Sequence, residues 1–308
     1  MAEVIGFIGL GNMGTPMTEQ LLQAGHRVQA FDVSEAALER ARKIGATVAG
    51  SIAEAADGAS IVITMLPAGA HVRAAYLEEG GLIETAAKGT LLIESSTIDV
   101  DTSRAVGAAA EAAGLEMIDA PVTGGVMAAR VGKLNFIVGG SEAAFERAKP
   151  VLSLMGRNIY YAGPQGCGIG VKICNNMALG ISMIAAAEAL MLAKRLNLDV
   201  ARTHEIMSNA SGQNWPLSNY CPLPDLVDGV PSNDGYKPGF TADMMRKDLR
   251  LAQEAAVSAD ACTPLGAEAL AIFSLFCANG DAQTDYSGIS KLIGGDAWDY
   301  PFSPQSDT

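Results

Sequence analysis

The sequence predicts a two-part α/β protein: a doubly wound, mostly parallel sheet in the first half, one long apolar helix, and an all-α second half. Three observations carry this. Short apolar runs alternate with amphipathic stretches as far as about residue 163. A helical pattern then runs over residues 171–196. Beyond it come more helix-like segments and almost no strand signal. Alternation of the first kind buries a sheet between two layers of helices.

Taken in order, residues 4–9 form a short buried-type strand. A glycine turn follows, then an amphipathic helix stopping at Ala24-Gly25, where glycine suits a helix end. Residues 27–32 are the second strand, and Ser34 is placed to N-cap a helix over 35–44. Buried-type strands recur at 60–66 and 90–95, and later strands at 115–119, 134–138 and 158–161. Helical patterns at 101–113 and 142–155 separate several of them. Residues 166–170, Gly-Cys-Gly-Ile-Gly, read as a hinge-like stretch, and the loop 221–239 is rich in Pro, Gly and Asp. The domain reading is 1–164 for the sheet domain, 165–196 for hinge and long helix, 197–298 for the helical domain, and 299–308 for a loose tail that already begins to loosen at Gly294.

Composition narrows the function classes. The chain has 308 residues and a net charge of −13. Nucleic-acid binding needs clustered Lys and Arg, so it is not expected. No apolar run is expected to cross a bilayer, because Gly180, Ser182 and Glu188 interrupt residues 177–192. The N-terminus opens into a strand with no basic leader, so no signal peptide is expected. Five cysteines without a CxxC pair suit neither a disulfide framework nor a zinc site. Cys174 reads as core, and the usage fits a reducing cytoplasm. The histidines, His26, His71 and His204, lack metal-ligand spacing, so no metal is expected. The helix 171–196 is too apolar to stand alone. It is expected to be wrapped by the second domain, of the same or a partner subunit, in a homodimer or homotetramer.

Gly9-Leu10-Gly11-Asn12-Met13-Gly14 has GxGxxG spacing between a strand and a helix, the context that gives the pattern meaning. Gly9 permits the tight turn, Gly11 admits the pyrophosphate, and Gly14 brings the helix close to the sheet. This is the Rossmann-type arrangement, with the helix N-terminus supplying donors to the phosphates. Asp32 closes the second strand at about the spacing expected of the ribose-binding acid. A carboxylate there repels a 2′-phosphate, so the expected cofactor is NAD rather than NADP.

Lys172, Asn175 and Asn176 share the helix after the glycine-rich stretch, and offsets of three and four bring both asparagines near the lysine's face. By pattern alone, a polar helix start in solvent and a hydride-transfer site with lysine exchanging the substrate proton remain equally open. Thr123-Gly124-Gly125 follows a strand, and its N–H groups suit an anion nest for a carboxylate, though on this signal alone a plain Gly-Gly turn is the better reading.

Four segments in order resemble the β-hydroxyacid dehydrogenase family: Gly6 to Gly14, Asp119 to Gly125, Gly170-Val171-Lys172-Ile173-Cys174-Asn175-Asn176, and Lys247-Asp248-Leu249-Arg250-Leu251-Ala252. The likeness runs from Gly6 to about Leu292. It implies Lys172 as the catalytic residue, with Asn176 as its partner on the substrate. It implies carboxylate binding at Thr123, Gly124 and Gly125. It implies cofactor contacts at Leu66, Pro67, Thr97 and Lys247, with Phe240 near the nicotinamide. Ser95-Ser96-Thr97-Ile98, Lys172-Ile173-Cys174-Asn175-Asn176-Met177, Ser211-Gly212-Gln213-Asn214-Trp215 and Asp228-Gly229-Val230-Pro231-Ser232 point within the family to 3-hydroxyisobutyrate oxidation in valine breakdown. Trp215 then covers the substrate's methyl side or serves as helical core. The family usually has serine where Thr123 stands, and the extra methyl bears on substrate size. Reductases of tartronate, succinate or glyoxylate semialdehyde are the nearest rivals. An imine reductase would generally lack the lysine. A non-catalytic NAD-binding protein would not need the Lys172–Asn176 pair.

Overall fold

The computed structural model describes residues 2–299. The chain divides into two compact units, Met1–Lys172 and Ile173–Thr308. In the first, the glycine turn separates β1 (Val4–Ile8) from α1 (Gly14–Gln23), and β2 (Arg27–Phe31), α2 (Glu35–Lys43) and β3 (Thr47–Val48) follow. Short helices α3 (Ile52–Ala56), α4 (Gly69–Leu77) and α5 (Leu82–Thr85) surround β4 (Ile61–Thr64), and β5 (Leu91–Glu94) comes next. Then come α6 (Val100–Ala112), β6 (Glu116–Asp119), β7 (Val122–Thr123), α7 (Gly125–Arg130), β8 (Leu134–Gly140), α8 (Glu142–Met155) and β9 (Gly156–Gly163).

These strands form one sheet in the order β3-β2-β1-β4-β5-β6-β8-β7, with β9 on β8. The run from β3 to β6 is parallel throughout. β8 lies antiparallel to both β6 and β7 and parallel to β9. The central strands read as continuous apolar runs because both faces are covered: Ile5, Phe7, Ile61, Ile63, Leu91 and Ile93 are all buried. Capping decides several helix starts. Asp99 accepts from Thr102 N at 2.7 Å and Ser141 from Ala144 N at 3.1 Å.

The helix α9 (Cys167–Arg195) begins inside the glycine-rich stretch and runs on into the second unit, whose remaining α-helices are α10 (Val200–Ser208), α11 (Trp215–Asn219), α12 (Ala242–Ser258), α13 (Pro264–Phe276) and α14 (Ile289–Gly294). Met183, Ile184 and Ala187 of α9 pack with Met245 and Leu249 of α12 and Phe273 and Phe276 of α13. Gly180 keeps this contact close, since a β-carbon there would stand 3.1 Å from Leu249 and Met245 side-chain atoms.

Several expectations are corrected. By length and composition α9 does reach the range of a membrane span, with a mean hydropathy of 1.6 over its most apolar 18 residues, because alanines dilute the interruptions. Half of that window is buried within the protein itself. Cys174 is exposed, not core: Val171, Cys174 and Asn175 share an outward face, while Lys172, Ile173 and Asn176 are buried. Ser34 stands at the N-cap of α2 but its side chain makes no cap bond. Residues 295–299 are not loose; they form a 3-10 turn in which the Trp298 carbonyl accepts from Lys194 Nζ at 3.0 Å. The rest of the tail expected over 299–308 lies outside the described residues.

Candidate active site

The carboxyl ends of β1, β2, β4 and β5 converge at the point where the sheet order reverses between β1 and β4, the usual place for a nucleotide in such a sheet. The sequence-predicted Gly9–Gly14, Asp32, Leu66, Pro67 and Thr97 all follow these strand ends. Gly9 has φ of 96°, and a β-carbon on it would lie 2.2 Å from the Met65 carbonyl oxygen. A β-carbon on Gly14 would lie 1.9 Å from the Gly9 carbonyl oxygen, so the turn and α1 touch backbone to backbone. Gly11 differs: nothing stands within 4 Å of its β-carbon position. It faces open space beside a helix start that has no side-chain cap, a cradle that fits a pyrophosphate. Asp32 braces the same turn. Its Oδ2 accepts from Leu10 N at 2.7 Å and its Oδ1 from Ser34 N at 2.8 Å. That second bond ties Ser34 to Asp32 through its backbone. Ser96 Oγ accepts from Leu66 N at 2.7 Å and so joins the loops after β4 and β5.

In the same unit, Thr123 ends β7, and Gly124 and Gly125 take φ of 116° and 64°, a region open chiefly to glycine. Asn135, opposite Thr123 on β8, donates from Nδ2 to Thr123 Oγ1 at 3.1 Å. Its Oδ1 accepts from Asn158 Nδ2 at 2.8 Å. With its oxygen accepting from Asn135, the Thr123 hydroxyl has its proton left to donate. Asp119, at the end of β6, is fully buried. Its Oδ1 accepts from Gly166 N at 2.6 Å and its Oδ2 from Ile169 N at 2.7 Å, across the start of α9. Burial pushes its carboxyl up to about 6, against the pull of those amides. Lys172 stands one turn further along α9 and is 7% exposed.

In the second unit Asn176 is 2% exposed. Its Nδ2 donates to Asp248 Oδ2 at 2.5 Å, and its Oδ1 accepts from Asn175 Nδ2 at 3.0 Å. Lys247 Nζ lies 3.8 Å from Asp248 Oδ1. Trp215, half exposed, stacks on Tyr220 at 5.5 Å, Tyr220 stacks on Tyr286 at 5.3 Å, and Phe240 meets Tyr286 edge-on at 5.6 Å. Asp285, fully buried, anchors this stack. Its Oδ2 accepts from Tyr220 Oη and Gly239 N at 2.9 Å and from Phe240 N at 3.1 Å, and its Oδ1 from Ser287 N and Oγ. Burial and the Asp285 charge push the Tyr220 phenol far up from its ordinary value.

Sequence reasoning thus named Lys172, Asn176, Thr123 and Phe240 but missed a set of holding groups: the Asp119 carboxylate at the start of α9, Asn135 on Thr123, Asp248 on Asn176, and Asp285 on the aromatic stack. Asp119 and Asp248 sat inside quoted motifs without a role. Asn135 carried the signal of a polar residue within an otherwise apolar strand. Among the described residues no cluster of His, Cys, Asp and Glu suits a metal.

Known proteins resemble this chain over nearly its whole length. The profile described as the NAD binding domain of 6-phosphogluconate dehydrogenase matches residues 4–163. The profile described as NAD-binding of NADP-dependent 3-hydroxyisobutyrate dehydrogenase matches residues 166–293. A 3-hydroxyisobutyrate dehydrogenase of Pseudomonas aeruginosa is 49% identical over 94% of this chain and 98% of its own. An NAD-dependent L-serine dehydrogenase of the same organism is 44% identical over 94% of this chain and 97% of its own. The solved structure of Mycobacterium tuberculosis 3-hydroxyisobutyrate dehydrogenase with L-serine matches with a TM-score of 0.91 and 41% identity, over 95% of this chain and 99% of that one.

Proposed function

The chain belongs to the β-hydroxyacid dehydrogenase family, uses NAD, and is a hydroxyacid dehydrogenase; on that premise we propose that it oxidises (S)-3-hydroxyisobutyrate to methylmalonate semialdehyde, a step of valine breakdown. The observation that carries the reading is a buried lysine on an otherwise apolar helix, with a buried asparagine one turn on. NAD, when bound, supplies the acceptor for the C3 hydride. Lys172 takes the hydroxyl proton as the C–H bond gives up its electron pair and the carbonyl forms. It must be neutral at that moment. Asn176, its amide held by Asp248, orients the lysine or the reacting oxygen. The N–H groups of Thr123–Gly125 and the Thr123 hydroxyl bind the substrate carboxylate. Gly9–Gly14, Leu66, Pro67 and Thr97 hold the cofactor, and Asp32 accepts from the ribose hydroxyls and favours NAD over NADP. The same proposal keeps Phe240 and Lys247 as cofactor contacts and Trp215 and Asn175 beside the substrate, in a cytoplasmic homo-oligomer.

L-Serine is the second reading, favoured by the serine-dehydrogenase relative and by the serine in the mycobacterial structure. It carries an ammonium where hydroxyisobutyrate carries a methyl. The test is kcat/KM for both enantiomers of 3-hydroxyisobutyrate, 3-hydroxypropionate, L-serine and glycerate, each with NAD and NADP. The (S)-hydroxyisobutyrate should lead with NAD; a lead for L-serine replaces the first reading. Lys172→Ala should lower turnover roughly 10²–10⁴-fold. Turnover near that of the unmodified enzyme would remove the lysine from the mechanism.

A further inference from the structure

We propose that Asp119 is the positioning residue for the catalytic base, a carboxylate that pins the start of α9 to the end of β6 and so sets where Lys172 stands relative to the Thr123–Gly125 turn. The inference rests on the proposed role of Lys172 and adds a residue that the reaction itself does not touch.

The geometry is specific. The first N–H groups of a helix have no partner within it, and here two amides at the start of α9 find one carboxylate, each on its own oxygen. The negative group also meets the positive end of the helix dipole. Its surroundings leave no slack. A β-carbon on Gly139 would stand 2.5 Å from Asp119 Oδ1 and 2.7 Å from Gly168 N. A β-carbon on Gly168 would stand 2.4 Å from the Ile137 carbonyl oxygen and 2.8 Å from Asp119 Oδ2. Strand β8 and the first turn of α9 are therefore in backbone contact, with the carboxylate wedged beside them. Gly166 and Gly168 act as packing residues at this junction. Ile169, whose amide is held, precedes Lys172 by one turn, and Asp119 precedes Thr123 by four residues. One side chain thereby references both the base and the substrate-carboxylate turn.

A neutral cap would fasten a helix at lower cost, because burying a carboxylate is unfavourable unless hydrogen bonds offset it. Ionisable groups on the segments around it include Glu94, in register on β5, Arg104 of α6, which lies against Gly166, and Cys167 and Lys172 of α9; β8 carries none. The rise of its carboxyl to about 6 has burial as its cause, opposed by the backbone amides. The carboxylate form that holds both amides is thus the form present at neutral pH.

Asp119→Asn keeps the shape but turns an NH₂ toward one of the two N–H groups. The expected result is NAD affinity within threefold of the unmodified enzyme, and kcat lower by about 100-fold, the scale of a misplaced reacting group. The deuterium isotope effect with C3-labelled substrate should rise as hydride transfer becomes limiting, which a loss of folded protein alone would not produce. A kcat within threefold, with an unchanged isotope effect, overturns the proposal. If Asp119→Asn does not fold, hydrogen exchange on the unmodified protein decides. Protection of the Gly166 and Ile169 amides, corrected for intrinsic rates, should fall at least tenfold relative to the rest of α9 between pH 7.5 and pH 5. Unchanged protection overturns the proposal as well. Failure of the Lys172→Ala test would instead remove the base and leave the exchange result standing, so the two readings fail separately.

Discussion

The nucleotide-binding unit and the helical unit build their sites from different materials. In the first, the glycine turn and Thr123–Gly125 present backbone groups, and, apart from Asp119, which reaches Gly166 and Ile169 across 47 and 50 positions, the side chains beside them sit at strand ends close in sequence. Asp32 reaches Leu10 across 22 positions of a single β-α-β segment. In the second, the side chains do the holding and their partners are remote: Asn176 finds Asp248 across 72 positions and Tyr220 finds Asp285 across 65. A backbone site is written locally, as a spacing of glycines. A side-chain site is written as two unrelated polar residues that only packing brings together.

That contrast can be broken experimentally. The largest effect is expected where backbone meets backbone. Gly14→Ala places a β-carbon into the Gly9 carbonyl oxygen, and relief requires α1 to move off the sheet. NAD affinity should fall by roughly 100-fold or more, about 2.7 kcal/mol or above, as read by titration of NADH fluorescence; an affinity close to the original would show the turn to be adaptable. Next comes Asp285→Ala. It leaves Tyr220, Gly239, Phe240 and Ser287 donors without their acceptor, at a cost of about 2 kcal/mol. The loss should appear chiefly as lower thermal stability of the helical unit, with NAD affinity falling far less than in Gly14→Ala because Phe240 alone among the proposed cofactor contacts is released, and equal damage to both would erase the distinction drawn above. The smallest effect is at Asp32→Ala, which should weaken NAD about tenfold, some 1.4 kcal/mol, and improve the relative use of NADP. An unchanged NAD-to-NADP ratio would confine Asp32 to bracing the turn through Leu10 and Ser34.

Much of the fold was legible in the sequence. The strands of the parallel run lie where apolar runs placed them, apart from the two-residue β3, and α8 covers residues 142–155 as its pattern indicates. The short elements β3, β7, α3, α4, α5 and α7 were not legible, because none carries the unbroken apolar run that marks β4 and β5 or enough turns for a clear helical period. Ser34 shows the limit of a good local signal: it holds the capping position, yet its side chain makes no cap bond. Cys174 shows a different limit. A helix that is apolar nearly all round does not declare which face is buried, so Lys172 and Asn176 could not be separated from Cys174 and Asn175 by pattern.

By itself the sequence determined the alternation of strands and helices, the dinucleotide turn and its acidic partner, since each depends on residues a few positions apart. Tertiary structure alone decided which side of α9 is buried, which carboxylates hold Asn176 and the aromatic stack, and that Gly168 is a packing residue beside Asp119. Those outcomes depend on contacts between segments far apart in the chain, and no local spacing records them.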